Sequence, residues 1–376
     1  MKITKSFVLA LIVTMTFLMV SCDDEIEEPA TQENIVPDRF TVDIPTVLTN
    51  ENNPVSTGRV SNGRVAEDEL DGNSIYEALG FFIHLAEESA TLTEEIIVGI
   101  SELGIDRALT LSYESDEDGR TKNLVVIEGS SYKGTQYEYE LTITDAESEG
   151  NEDGGLAMKI FWNTDPVNGV AILKPYNINR IDEDDAGDAM YRIEYDDTDT
   201  DAYEATMIVT ITGIPLPSAL EDPYAIDNLQ VFVGKNGDVV DMFGNSNHPN
   251  AKFFNDEVGF NWAFSASGND VLNVGVAEVG LPPNTLESTS REEILVDYSI
   301  KQVFTDQILE VWPDLSQDLI DLYLKNTEAP GYFNSEGFIQ GGGESPDPAF
   351  DPLKERLSTL TPYSPKAVME LEIEVN

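Results

Sequence analysis

The chain has 376 residues, 41% of them hydrophobic, with 71 Asp and Glu against 21 Lys and Arg, a formal charge of −50 at pH 7. That much negative charge repels phosphate backbones and anionic headgroups, which argues against nucleic-acid binding and makes cations the natural counterions. The single cysteine, Cys22, cannot form an internal disulfide, so the fold must be held by its core.

In chain order, Lys2 and Lys5 precede an apolar run from Phe7 to Val20. The run is shorter than the roughly 18–20 residues that span a bilayer and reads as a signal peptide over residues 1–21. It ends in Leu18-Met19-Val20-Ser21-Cys22. This resembles the lipobox of bacterial lipoproteins, with a large apolar residue three before the cysteine and a small one just before it; Met19 stands where leucine is usual. The resemblance implies cleavage before Cys22, lipid on its thiol and a membrane as partner, since two or more acyl chains anchor durably. Asp23, Asp24, Glu25, Glu27 and Glu28 follow, and this acidic run resembles the signal that sends Bacteroidota lipoproteins to the outer face of the outer membrane. In other Gram-negative groups an aspartate at that place implies inner-membrane retention, so a periplasm-facing address stays open while the length of the run favours the surface. Loss of residues 1–21 removes Lys2 and Lys5 and no acid, leaving 71 acids against 19 bases, a charge of −52. Spread along the whole chain, that charge also serves solubility in salty surroundings, where screening acts within about 10 Å.

Residues 22–72 are rich in Glu, Asp, Asn, Pro, Thr and Ser, with too few apolar residues to offset the entropy of ordering, and are expected to form an acidic flexible tether. Within it, Phe40 to Val47 is apolar enough to dock as an edge strand. Residues 73–376 then supply one domain. Asn73 or Ser74 is placed to cap a helix whose face is Ile75, Tyr76, Leu79, Phe82, Ile83 and Ala86. Thr93 is placed to cap a second, with Ile96, Ile97, Ile100 and Leu103 apolar and Gly104 as its stop.

From Ala108 to about Ile300 the apolar period becomes two. Twelve strands are predicted: 109–113, 124–128, 137–144, 156–162, 170–174, 190–195, 204–212, 229–233, 239–243, 260–265, 271–279 and 295–300. Their hairpin-length connections mean antiparallel neighbours, and turns such as Asp153-Gly154-Gly155 and Asn236-Gly237 tolerate positive φ. Helix returns with Ile308, Leu309, Trp312, Leu315, Leu319, Ile320, Leu322 and Tyr323 around Pro313. A Gly341-Gly342-Gly343 loop and a short helix from Leu353 to Leu360 follow. Val368 to Val375 then alternates as a final strand returning to the sheet. The expected fold is α+β: a long, strongly curved antiparallel meander, a half-barrel or open barrel, with N-terminal and C-terminal helices packed on it. In element order it resembles the half-barrel of periplasmic lipoprotein-carrier proteins, or a partly open lipocalin-like barrel, with no motif carried over from either.

Chemistry-bearing patterns are sparse. There is no Gly-x-Ser-x-Gly elbow, phosphate loop, Gly-x-Gly-x-x-Gly or His-Glu-x-x-His. The two histidines read as a packed helix residue, His84, and a member of the polar turn 244–250, His248; without neighbouring cysteine they do not suggest zinc. Trp162, Trp262 and Trp312 read as core anchors. One pattern has metal-like spacing: Asp197, Asp199 and Asp201 alternate, with Glu204 beside them. Calcium takes six to eight oxygens at about 2.3–2.6 Å, which such a loop can begin to supply. Ala202 and Ile208, however, stand where an EF-hand needs glycine and glutamate. This loop and a second acidic one, 182–185 with Asp188, read either as calcium ligands or as charged hairpin turns. No other cofactor is expected. The functional expectation is a non-catalytic, lipid-anchored envelope protein whose curved sheet holds a hydrophobic or small ligand. The alternatives are an accessory or structural subunit of an outer-membrane uptake complex, with an outer-membrane protein as partner, or a carboxylate-based enzyme.

Overall fold

The computed structural model describes residues 34–49, 70–116, 118–180, 188–218, 225–252 and 258–375. Cys22, the acidic run behind it and the acidic loop 182–185 lie outside these residues. No described helix is long and apolar enough to cross a membrane.

Residues 34–49 end in a short helix, α1 (Thr46–Thr49), and the two-residue strand β1 (Leu70–Asp71) leads into α2 (Asn73–Ser101). The two helices expected here are one. Nothing between them breaks it, because residues 87–92 contain neither glycine nor proline. Thr93 does not cap; its hydroxyl bonds back to the Ser89 carbonyl at 2.9 Å, as Ser89 does to Leu85 at 2.8 Å.

The period-two region forms β2 (Leu109–Glu114), β3 (Thr121–Tyr132), β4 (Thr135–Asp145), β5 (Leu156–Thr164) and β6 (Val167–Leu173). After a short helix, α3 (Pro175–Ile178), come β7 (Met190–Asp196), β8 (Ala205–Thr212), β9 (Leu229–Asn236), β10 (Val239–Lys252), β11 (Val258–Asn269) and β12 (Val274–Gly280). Helices α4 (Ile300–Val311) and α5 (Gln317–Tyr323) precede β13 (Leu324–Lys325), which pairs with β1. The hairpin β14 (Gly331–Asn334) and β15 (Gly337–Gly341) is followed by α6 (Asp351–Leu357) and α7 (Pro365–Met369). Thirteen strands, β15-β14-β12 and then β11 down to β2, make one antiparallel sheet that does not close. The α+β meander is therefore the fold.

The sheet wraps α2, which packs against β7, β8, β9, β12 and β15. Tyr76 stacks on Phe338 at 4.9 Å and Phe82 meets Trp262 edge-on at 5.0 Å, while Ile83, Ala86 and Ile97 are fully buried beneath the strands. The outer face is covered too. Phe350, Leu353, Leu357 and Leu360 pack on Val274, Val276 and Tyr332, and Ile373 on Tyr132, Phe161, Val170 and Ile172. Burial on both faces is what lets β5 and β6 carry unbroken apolar runs, Leu156–Met158, Ile160–Trp162 and Val170–Leu173.

Four further expectations change. Residues 34–49 are not free tether: Val36, Phe40, Val42, Ile44, Val47 and Leu48 are all buried in the main core, although none of them lies in a strand. The twelfth expected strand is helical, a turn of π-helix (Glu292–Val296) running into α4. Ile294 and Leu295 are adjacent and both buried against Ala263, which a helical turn allows and a half-exposed strand does not. The C-terminal strand is replaced by α7 and, after a turn at Glu370, an irregular segment, 371–375, lying across the outer face. It keeps the alternation, Ile373 inward and Glu372 and Glu374 outward, because lying over a sheet buries one side as well as pairing within it. The hairpin β14–β15 was not expected, its strands being short and bounded by glycine.

Candidate functional site

The inner face of the sheet is the place where the expected ligand would sit, and side chains fill it. Residues 34–49 cross it along the end where the β5–β6, β7–β8 and β11–β12 hairpins turn. Trp162 donates to the Ile35 carbonyl at 2.7 Å, Ile35 donates to the Ile105 carbonyl at 2.9 Å, and Phe40 lies 5.5 Å from Tyr195 between ring centroids. Pro45, Val47 and Leu48 then reach β11 and β12 at two glycines: a Cβ on Gly268 or Gly275 would stand 2.8 Å from Leu48 side-chain carbons. Glycine there makes room for the segment.

The opposite end is held by charge. Arg120 makes a forked pair with Asp145, Nη2 to Oδ2 at 2.6 Å and Nε to Oδ1 at 3.0 Å, and also donates to Ser148 at 3.0 Å. Lys122 donates to Asp118 at 2.8 Å and to the Asn177 carbonyl at 3.1 Å, with Asp145 at 3.5 Å. Lys174 pairs with Asp153 at 2.7 Å, and Asn177 bridges Asp153 and Arg180. Burial by itself would raise the Asp145 carboxyl. The bonds from Arg120 and Ser148 and the charges of Lys122 and Arg120 outweigh it and hold the group at about 2. Asp118 and Asp153 are held low against burial in the same way, by Lys122 and Lys174 foremost. Next to this network lies an open depression of about 390 Å³ lined by Asp153, Lys174, Tyr176, Asn177 and Arg180. A second, about 580 Å³, runs between Thr212, Asp227 and Asn228 and the chain at 369–373. Both open to solvent. The cations at the first are matched by carboxylates, so it is a pinned corner of the sheet.

The residues singled out from sequence are not drawn together. In the β7–β8 loop, Thr198 donates to Asp196 at 2.8 Å and Thr200 closes on Tyr203 at 2.9 Å, while Asp199 and Asp201 face solvent. Burial, then Asp196 and Asp165, raise the Asp197 carboxyl. Among the described residues no three His, Cys, Asp or Glu are grouped to hold a metal, so Asp197, Asp199, Asp201 and Glu204 form no ready-made cluster. His84 is half-buried on α2 beside Glu87 at 3.3 Å. His248 is not in a turn. It lies within β10, fully buried, stacked on Phe260 at 5.2 Å with Ser246 at 2.7 Å from its Nε2. Polar composition suggested a turn, yet Gly244 to His248 are paired in register with β11 and their side chains are enclosed from both faces.

Trp162 and Trp262 are core residues as expected; Trp312 is not, being 59% exposed. Leu319, Leu322 and Tyr323, expected with it in the C-terminal helical stretch, face solvent too, as does Val311. The short α5 buries Ile320 and leaves Leu319, Leu322 and Tyr323 outside.

Comparison of the chain with protein-family models, with curated proteins and with solved structures finds no match.

Proposed function

We propose that this is a lipid-anchored protein of the bacterial cell envelope, held at the outer membrane through Cys22, and that its domain is a non-catalytic accessory subunit that binds another protein. The observation that carries this reading over a carrier of hydrophobic ligands is the occupied inner face. A carrier needs an apolar hollow of a few hundred Å³, and here α2 and residues 34–49 take that space. The buried ionic groups at the far end of the sheet satisfy one another, which suits a rigid scaffold better than a poised acid and base. The surface-directed address rests on the acidic run 23–28.

A titration of the mature domain with a fluorescent fatty acid tests the choice. The proposal expects no saturable binding. Stoichiometric uptake, displaced by phospholipid, would restore the carrier reading.

A further inference from the structure

Exposed large apolar residues are ordinary when scattered and informative when grouped. Five of them, Val311, Trp312, Leu319, Leu322 and Tyr323, fall within positions 311–323, with exposures from 46% to 73%. Leu319, Leu322 and Tyr323 stand at i, i+3 and i+4 and so share one face of α5. Val311 ends α4 and Trp312 follows it, joined to α5 by a connection, 312–316, whose turn is closed by the Leu315 amide on the Trp312 carbonyl at 3.1 Å. The opposite sides are anchored: Ile300, Ile308 and Ile320 are buried. Along the same stretch Asp306, Glu310, Asp314 and Asp318 are exposed, Asp321 is exposed with Lys301 3.6 Å away at the edge, and no Lys or Arg occurs between Lys301 and Lys325.

We infer that the end of α4, the turn and α5 form a docking surface for a protein with an apolar centre and a basic rim. Charge complementarity selects this occupant. A second copy meeting face to face would set acid against acid on chains that each carry −50. Anionic headgroups would be repelled by the same fringe. A partner with lysine or arginine around apolar residues gains at both centre and rim. This inference deepens the accessory-subunit reading. The patch shares no residue with the segment 34–49, and the two experiments read different ligands, so the fatty-acid titration and the experiment below fail independently.

The probes are two synthetic helical peptides sharing one leucine pattern, with lysine or glutamate at the remaining positions, added to the mature chain at about 0.15 M salt, where loose charge attraction is screened. Trp312 is the exposed one of three tryptophans and reports contact at this face. The lysine peptide should bind and shift emission to shorter wavelength, and Trp312→Phe should abolish the shift. The double variant Leu319→Ser with Leu322→Ser, which removes only exposed side chains, should weaken binding by about tenfold or more, as loss of anchor residues does. The glutamate peptide should not bind. Equal affinity of the double variant, equal binding of both peptides, or an emission shift that survives Trp312→Phe would overturn the inference. So would a dimer in sedimentation, or binding to phosphatidylcholine or phosphatidylglycerol vesicles, that disappears in the double variant.

Discussion

Trp162 donates its indole N–H to the carbonyl of Ile35 at 2.7 Å, tying the inner face of β5 to a residue thirteen positions after Cys22. The part of the expected tether that precedes this docked segment, residues 22–33, is about a dozen residues instead of fifty. At about 3.3–3.6 Å per residue, a chain from Cys22 to Asn34 reaches at most about 40 Å. With lipid on Cys22, the domain would sit close to its membrane, not far above it.

That docking should be worth measurable stability. Leu48→Ala empties a buried position against Gly268 and Gly275 and should cost about 2–5 kcal/mol. Trp162→Phe leaves the Ile35 carbonyl without its donor and should cost about 1–3 kcal/mol. Urea unfolding of the mature chain measures both. Unchanged midpoints would mean that residues 34–49 add nothing to the fold.

The ionic corner predicts acid lability. Asp145 ordinarily titrates at 3.8 and is held at about 2 in the fold. A depressed carboxyl contributes its full stability above the unfolded value and loses it as pH falls through the folded one, here between about pH 4 and 2. Asp145→Asn should flatten that part of the stability profile. At neutral pH it should also cost about 3 kcal/mol, because Arg120 and the buried Lys122 lose a partner. A variant with the wild-type acid transition would remove Asp145 from the account.

Most of the sheet was legible because a strand packed on one or both faces writes its period directly into the chain. Eleven of the twelve expected strands are present, all between Leu109 and Gly280, and ten lie within a few residues of their expected bounds; the exception, β10, runs on to Lys252 where 243 was the expected end. What escaped depends on contacts distant in sequence. That Phe40 to Val47 could dock was legible, but not that it would do so without strand pairing, because its partners, such as Tyr195 on β7 and Gly268 on β11, lie far off in sequence. His248 looks like part of a turn until Phe82, Phe260 and Trp262 enclose it. The exposure of Trp312 and Leu322 was hidden for the converse reason, since helical spacing reports a shared face and not whether anything covers it.

The anchor makes a separate prediction. Cys22→Ser should move the chain from the membrane fraction to the soluble fraction without changing its melting temperature, because the contacts described for the core begin at Asn34. Retention of the serine variant in washed membranes would reject lipid as the attachment.

Asp199 and Asp201 face solvent in the β7–β8 loop, so calcium and magnesium should raise the melting temperature equally at matched ionic strength, by screening. A calcium-specific gain abolished by Asp199→Asn with Asp201→Asn would establish a site in the β7–β8 loop.

The central claim, that residues 34–49 are a permanent part of the core, is tested most directly by native-state hydrogen exchange. The amides of Ile35, bonded to Ile105, of Phe40, bonded to Glu94 at 2.7 Å, and of Leu48 should exchange only with global unfolding, like Ile143 and Val209 in the buried strands. Exchange of these amides far faster than that of the strands, as a segment that lifts away and bares the inner face would show, would contradict it.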